Sequence, residues 1–279
     1  MKLIGMPSDE IERVISDIIS KDVKVSGQFT EDTLMARVSE ILRSLKEEYS
    51  KKFETLLEYD YVRRIDSSME PIVIVLEGAS GTGKSMLALD MIRNISATRI
   101  ISTDTVRQVL RSTLSSEDHP ELFCHTYQAH EKRQSGSKDL DPVVRGYLAQ
   151  IELLSPVIEE MTKRVLTEGA ETIIEGVHVL PGSLSRLSKS VVEILINPNP
   201  DTHERMFASK HGTGLKSVSS DLKKRKEEYK ATRIIQEYML SQSLQNGVRV
   251  IPLGSYEEAE KAICDTVMET VRRILDSTA

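Results

Sequence analysis

The residues Pro71–Ser85, with the sequence PIVIVLEGASGTGKS, decide the fold of this chain. The run Ile72–Leu76 is continuously apolar and rich in β-branched side chains, which predicts a short strand buried on both faces, as in a parallel sheet. Glycines follow this strand, and apolar residues from Met86 to Ile92 then recur at helical spacing. The stretch therefore predicts a strand, a glycine-rich turn and a helix in direct succession.

The glycine-rich turn fits the pattern G-x-x-x-x-G-K-[ST] at every fixed position. Its backbone N–H groups can converge on a polyphosphate, because glycines let the chain bend and leave room for the ligand. The following helix N-terminus adds a dipole that favours the anion. In such a loop the lysine can reach the β- and γ-phosphates of ATP, and the final serine can ligate Mg²⁺. The residues predicted to bind the nucleotide are Gly78, Ala79, Ser80, Gly81, Thr82, Gly83, Lys84 and Ser85.

Strand and helix patterns alternate through the rest of the chain. Helical spacing recurs over Leu153–Leu166 and Tyr256–Leu275. This alternation predicts an α/β fold of the P-loop NTPase class, with a doubly wound, mainly parallel, five-stranded sheet. The four further predicted strands are Arg99–Ser102, Thr172–Ile174, Val191–Ile196 and Val248–Leu253.

The N-terminal part of the chain has a different character. Ser8 and Thr30 each stand before acidic residues and an apolar stripe at helical spacing, which is typical of helix N-termini. The charged run Lys46–Lys52 is predicted to be a solvated helix face. We therefore expect a helical N-terminal arm over residues 1–69 and a P-loop domain over residues 70–279.

Composition excludes several functional classes. The chain has 37 Lys and Arg against 43 Asp and Glu, a net charge of −6, and 4% aromatic residues without Trp, which argues against a nucleic-acid binder. Its two cysteines, Cys124 and Cys264, are far apart, which argues against a zinc site or a disulfide framework. We expect no secretory signal at residues 1–9, and no apolar run approaches the roughly 18 residues of a membrane span. We expect a cytoplasmic protein without membrane or nucleic-acid partners.

Two acidic residues follow predicted neighbouring strands and suit phosphoryl transfer. Asp104 is predicted to orient an acceptor hydroxyl and take its proton, with a helix N-cap as the alternative. Glu175 is predicted to bind Mg²⁺ through water, or to organise the attacking group, in the Walker B position. Arg107 lies three residues after Asp104 and suits a carboxylate or phosphate of the substrate, with a surface ion pair as the alternative.

Two polar segments between the predicted strands are candidates for binding the acceptor or closing over it. Residues 115–147 lack clear periodicity and fit an acceptor-binding insertion; their histidine spacing does not indicate a metal site. Residues 205–225 carry several Lys and Arg and fit a closing lid whose cations meet the transferred phosphoryl group, with a solvated basic helix as the alternative. His178 is either a substrate contact or a hydrogen-bonded loop histidine.

The motifs Gly78–Ser85, Ser102–Val109, Leu166–Gly169 and Ile173–Gly182 resemble the archaeal 2-phosphoglycerate kinase family. The resemblance runs from about Pro71 to the C-terminus, and the Glu-Gly-x-His-x-x-Pro-Gly run is its most specific part. It implies ATP- and Mg²⁺-dependent phosphorylation of a hydroxyl on a small phosphorylated carboxylic acid. The stretch Ser209–Ser217 and the acceptor-side insertion depart from the pattern of 2-phosphoglycerate kinases.

The resemblance leaves more than one substrate open. The preferred hypothesis is mevalonate 3-phosphate, phosphorylated at its 5-hydroxyl in isoprenoid biosynthesis, since the chain looks somewhat more like that branch of the family. The alternative is a 2-phosphoglycerate kinase that makes 2,3-bisphosphoglycerate. More distant alternatives are a nucleotide-sugar or polynucleotide kinase and a non-catalytic ATP-dependent switch. The sequence leaves the oligomeric state open, with a homodimer among the options.

Overall fold

The computed structural model describes residues 2–23, 30–95, 97–209 and 222–278. They fall into two compact units. One unit is Met1–Glu70 together with Lys261–Ala279, and the other is Pro71–Glu260. The first unit thus includes C-terminal residues that the sequence grouped with the P-loop domain, while the division of the chain into domains stays a prediction.

The second unit is built on a five-stranded sheet in the order β2-β3-β1-β4-β5. Every strand pair is parallel, as predicted from the buried apolar runs. The central β1 lies between β3 and β4: β2 and β3 lie on one side of it, and β4 and β5 lie on the other. The loop after β1 therefore starts where the sheet changes its direction of growth, which is where α/β sheets form their binding crevices. The strands are β1 (Val73–Glu77), β2 (Arg99–Ser102), β3 (Thr172–Gly176), β4 (Val191–Asn197) and β5 (Arg249–Pro252).

Helices join the strands and cover the sheet. The apolar side chains of β1, β3 and β4 pack with those of α5 and α6 around buried residues such as Leu154 and Ile158. A second cluster joins α6, α7 and α8 around Tyr147 and Phe207. The helices of this part are α4 (Lys84–Asn94), α5 (Thr103–Thr113), α6 (Pro142–Thr167), α7 (Pro200–Ser209), α8 (Leu222–Asn246) and α9 (Tyr256–Thr278), the last of which ends in the first unit.

The first unit is helical, as the sequence predicts. Thr30 caps α2, since its side chain accepts a hydrogen bond from the backbone N–H of Thr33 at 3.3 Å. A separate core forms around Ile4 and Leu42. Among the described residues, no helix is long and apolar enough to cross a membrane. The helices are α1 (Ser8–Asp17), α2 (Glu31–Leu45) and α3 (Glu47–Ile65), with a π-helical turn at Ile18–Val23.

Candidate active site

The loop Gly78–Ser85 connects β1 to α4, in the context that the sequence predicts. Gly83 stands at the N-cap of α4 with φ +86°, a conformation that residues with a side chain rarely adopt. A Cβ at Gly81 would come within 3.0 Å of the Cα of Phe207 on α7. The glycines therefore give the loop both its bend and its close approach to a neighbouring helix.

Two buried side chains hold the backbone of this loop from outside it. Gln236 of α8 accepts a hydrogen bond from the N–H of Ala79 at 2.8 Å. His203 of α7 donates from Nε2 to the carbonyl of Ser80 at 2.9 Å. Both residues are completely buried. They lie more than a hundred residues from the loop in sequence, and no local pattern could have identified them.

The predicted metal-binding residues come together at the start of α4. The hydroxyl of Ser85 donates to Oε2 of Glu175, which stands on β3, at 2.9 Å. The described residues contain no group of three or more His, Cys, Asp or Glu that could hold a metal ion. The donors present are thus one hydroxyl and one carboxylate, which leaves most positions to water and phosphate oxygens. This set fits Mg²⁺, which keeps several waters beside one or two protein oxygens.

Asp104 and Arg107 lie on the first two turns of α5. Ser102 holds the N-cap position and Asp104 stands in the first turn, so the carboxylate is not the helix N-cap. Arg107 donates to Oδ1 of Asp104 at 3.2 Å and to the carbonyls of Leu122 and Cys124. Because its guanidinium is fixed to the insertion by these bonds, Arg107 is held in place before any ligand arrives.

The side chains at the strand ends surround one cavity of about 330 Å³. Lys84, Ser85, Asp104 and Arg107 line it, and the Nζ of Lys84 lies 3.4 Å from the carbonyl of Ala79. A larger cavity, about 610 Å³, lies along α1 and α2, but none of the predicted site residues lines it. The remaining residues of the smaller cavity's lining are Ala79, Ser80, Gln108, His125, Thr126, Tyr127, Val177, Phe207, Thr232 and Ile235.

The acceptor-side insertion contributes a wall of this cavity. It contains short 3₁₀ helices at Pro120–Phe123 and Thr126–Glu131, and α6 begins inside the predicted range at Pro142. His125 and Tyr127 stack with ring centroids 5.1 Å apart, and Tyr127 meets Phe207 edge-on. The insertion and α7 are thus in contact beside the cavity.

His178 lies outside the lining of the cavity. Its side chain is completely buried, and burial lowers its pKa to about 4 despite the nearby Asp104. Both ring nitrogens are within 3.1 Å of protein oxygens. The substrate contact predicted for His178 stays a prediction that this geometry does not support. Of the predicted lid, residues 210–221 lie outside the described part of the chain.

The loop that carries His178 is itself held by a buried carboxylate. Glu193 of β4 accepts hydrogen bonds from the backbone N–H groups of Gly182, Leu184 and Ser185. A Cβ at Gly182, which has φ +90°, would come within 2.6 Å of Asn246. The Pro-Gly end of the sequence motif is therefore a packing requirement of the loop after β3.

Curated proteins named 2-phosphoglycerate kinase are similar to this chain. The one from Methanothermobacter thermautotrophicus is 31% identical over 227 residues, covering 80% of this chain and 72% of the relative. The one from Methanococcus vannielii is 26% identical over 271 residues, with 95% and 84% covered. The match to the one from Methanopyrus kandleri is 37% identical but covers only 47% of that relative.

Comparisons with protein-family models and with solved structures do not assign the chain to a family. No protein-family model matches the chain. Among solved structures, a shikimate kinase from Acinetobacter baumannii aligns with a TM-score of 0.42 and 10% identity, covering 73% of this chain and 94% of that one. The sequence relatives alone therefore carry the family assignment.

Proposed function

The chain belongs to the family of the archaeal 2-phosphoglycerate kinases, and on that premise we propose that it transfers the γ-phosphoryl group of ATP to the free hydroxyl of 2-phosphoglycerate. Membership of the family makes the chain a phosphotransferase with a hydroxyl acceptor. The observation that carries the finer proposal is a single cavity in which Lys84 and Ser85 of the phosphate-binding loop face Asp104 and Arg107. The residues proposed to bind the nucleotide and those proposed to bind the acceptor thus line one cavity.

Each side chain has a proposed task in this reaction. Lys84 neutralises charge on the phosphates as the bond to the leaving group loosens. Ser85 and Glu175 hold Mg²⁺, which supplies positive charge beside the phosphates when it is bound. Asp104 orients the acceptor hydroxyl and takes its proton, and Arg107 binds an anionic group of the acceptor.

A second acceptor, mevalonate 3-phosphate, is supported by the apolar part of the cavity wall. Tyr127, Val177, Phe207 and Ile235 line the cavity on the side of the insertion, α7 and α8. 2-Phosphoglycerate has no methyl group to place there, whereas mevalonate 3-phosphate has one, worth about 1–3 kcal/mol of discrimination. The relatives named above favour 2-phosphoglycerate, which the sequence had ranked second.

The deciding experiment measures kcat/KM with ATP and Mg²⁺ for 2-phosphoglycerate, mevalonate 3-phosphate and mevalonate. We expect 2-phosphoglycerate to exceed mevalonate 3-phosphate by about tenfold or more, and mevalonate to be poorer by several orders of magnitude, because it lacks the phosphate that buried cations require. The reverse preference between the two phosphorylated acids would select the second acceptor.

Two variants control this comparison. Lys84→Ala provides the background, since losing one phosphate contact costs about 3 kcal/mol, or roughly a hundredfold in rate. Arg107→Lys keeps the charge but not the planar fork, and it should weaken both phosphorylated acids while leaving the KM for ATP unchanged. If no acceptor reacts faster with the wild type than with Lys84→Ala, the proposed function fails.

A further inference from the structure

His178 occupies the centre of a hydrogen-bonded cluster directly behind the cavity. Its Nδ1 lies 3.1 Å from Oγ1 of Thr103, and its Nε2 lies 3.1 Å from both Oε1 of Gln150 and Oγ1 of Thr126. Its backbone N–H also donates to Oγ1 of Thr103. The ring therefore joins the start of α5, the acceptor-side insertion and the middle of α6.

The surrounding bonds fix the tautomer of this ring. The amide of Gln150 donates from Nε2 to the carbonyl of Glu121, so its Oε1 must face His178. That oxygen can only accept, which places the imidazole proton on Nε2. Nδ1 is then an acceptor, and the hydroxyl of Thr103 donates to it. Nδ1 thus accepts from the start of α5, and the single N–H on Nε2 is shared between Gln150 of α6 and Thr126 of the insertion.

The start of α5 and the acceptor-side insertion both carry residues that face the cavity. Thr103 is completely buried and directly precedes Asp104, whose Oδ1 lies 4.0 Å from Nδ1 of His178. Thr126 lines the cavity from the insertion, between His125 and Tyr127. The imidazole therefore connects the start of α5, next to the proposed base, with the wall of the insertion, alongside Arg107, which bonds both Asp104 and two carbonyls of the insertion.

We propose that His178 is a positioning residue: through Nδ1 it fixes Asp104 for proton transfer, and through Nε2–H it fixes the insertion for acceptor binding. The inference rests on the proposed function, because it assigns Asp104 to the acceptor hydroxyl. A displacement of about an ångström at either end costs rate or affinity, since the catalysis of phosphoryl transfer is mostly positioning.

Two conservative substitutions separate the two ends of the ring. The amide oxygen of His178→Asn reaches the Nδ1 position and can still accept from Thr103, whereas its amide no longer reaches Thr126 or Gln150. The amide nitrogen of His178→Gln reaches the Nε2 position and can still donate, whereas it no longer accepts from Thr103. We expect His178→Asn to raise the KM for the acceptor about tenfold with kcat within about threefold of the wild type. We expect His178→Gln to lower kcat about tenfold with the KM for the acceptor within about threefold of the wild type.

Buried threonines supply a cycle and a matched control. Thr103→Val removes the Nδ1 contact that His178→Gln removes, and also the acceptor of the His178 backbone N–H, so it should lower kcat about tenfold or more, and the double variant should be no slower than Thr103→Val alone. Thr162 is also completely buried and donates only to the carbonyl of Ile158 in α6, so Thr162→Val should leave kcat and KM unchanged. The KM for ATP should stay constant in all these proteins.

The outcomes distinguish this inference from the proposed function. A wild type that phosphorylates no acceptor removes the proposed function and the inference with it. An active wild type in which the Asn and Gln variants share one kinetic pattern, or keep wild-type constants, overturns the inference alone. If neither His178 variant folds, Thr103→Val provides the test of the inference. A kcat of Thr103→Val equal to that of Thr162→Val would then overturn the inference.

Discussion

Two carboxylates at neighbouring strand ends have different surroundings at the scale of single residues. The Asp104 side chain is 62% exposed at the cavity and pairs with Arg107. Glu175 is 8% exposed and accepts from Ser85. An exposed carboxylate beside an acceptor can exchange protons with it, whereas an enclosed one beside a helix N-terminus and a polyphosphate suits a cation.

Substitution of each carboxylate by its amide should therefore produce a different defect. Asp104→Asn should lower kcat by about a hundredfold with little change in ATP affinity, since a positioned base contributes about that much. Glu175→Gln should shift the Mg²⁺ concentration needed for half-maximal rate upward with any acceptor. Magnesium titrations of both variants test this, and a fall in folding stability without a fall in kcat would deny Asp104 the role of base.

Glu77, at the end of β1, is a buried carboxyl that the proposed reaction does not use. Within the described residues, neither of its oxygens has a hydrogen-bond partner. Burial, and secondarily the charge of Glu193, raise the pKa of Glu77 well above its ordinary value. The folded state thus favours the neutral acid, so the stability linked to its proton is complete at low pH and is lost as pH rises.

Glu77→Gln should be more stable than the wild type at neutral pH, because an amide needs no proton to stay neutral. The difference should vanish near pH 4 and grow by about 1.4 kcal/mol per pH unit above the ordinary carboxyl range while the wild-type group stays protonated. Urea unfolding between pH 4 and 8 measures it. The exposed Glu160→Gln serves as the control, and equal pH dependence in the two variants would show that Glu77 titrates normally.

At the scale of elements, α8 supports the phosphate-binding loop from behind. The side chain of Gln236 donates to the carbonyl of Ile196 and to Oδ1 of Asn197 at the end of β4, in addition to accepting from Ala79. One amide therefore ties α8 to the loop and to the adjacent strand. The predicted lid, residues 205–225, includes the end of α7 and the start of this helix, and its residues 210–221 lie outside the described part of the chain.

Gln236→Leu should weaken both the fold and nucleotide binding. It removes the acceptor of the buried Ala79 N–H and the donor to the Ile196 carbonyl, at a cost of about 1–3 kcal/mol in the free energy of unfolding. The KM for ATP should rise more than that for the acceptor, because Ala79 belongs to the loop. Gln245→Leu, on the exposed side of the same helix, is the matched control. An unchanged KM for ATP in Gln236→Leu would contradict the supporting role.

The long helix α6 illustrates which element boundaries the sequence reveals. Apolar spacing predicts a helix from Leu153, but the structure begins it at Pro142 after the capping side chain of Asp141. Asp-Pro is a recognisable helix start, with proline at the first helical position. The periodicity fails there because Val143, Val144, Gly146 and Tyr147 are all buried, so the first turns have no polar face pattern to detect.

At the scale of the whole molecule, the first unit combines residues from both ends of the chain. Lys52 of α3 is 8% exposed and pairs with Asp265 of α9 at 3.1 Å and with Glu48 at 2.9 Å. The sequence predicted a solvated face for this charged run. That description holds for Lys51, which is largely exposed and pairs with Glu47, but not for Lys52.

This adjacent pair of lysines gives a test of how the two ends of the chain depend on each other. Lys52→Ala leaves Asp265 without one of its partners and should lower the free energy of unfolding by about 1–3 kcal/mol. Lys51→Ala should change it by less than about 0.5 kcal/mol, as exposed pairs do. Chemical unfolding and kcat/KM should be measured on both. A loss of kcat/KM in folded Lys52→Ala would place the first unit in the catalytic machinery.

The sequence by itself determined the class of fold and the part of the candidate site that the loop Gly78–Ser85 forms. Continuous apolar runs in the sequence predict the buried strands. The phosphate-binding loop consists of contiguous residues, and the backbone of the loop itself requires its glycines. The strand ends also follow from sequence, since parallel strands bring Asp104 and Glu175 to the same edge of the sheet. These features depend on interactions between residues close in the chain or on a regular sheet.

Only the tertiary structure decided what surrounds those residues. The contacts of Gln236 and His203 with the loop, the apolar wall with Ile235, and the enclosure of His178 join segments far apart in sequence. A single polar residue in a helix carries no sequence signal of the partner it will meet, because that partner is set by how the helices pack on the sheet. The burial that lowers the pKa of His178 and raises the pKa of Glu77 is likewise a property of packing and not of either residue.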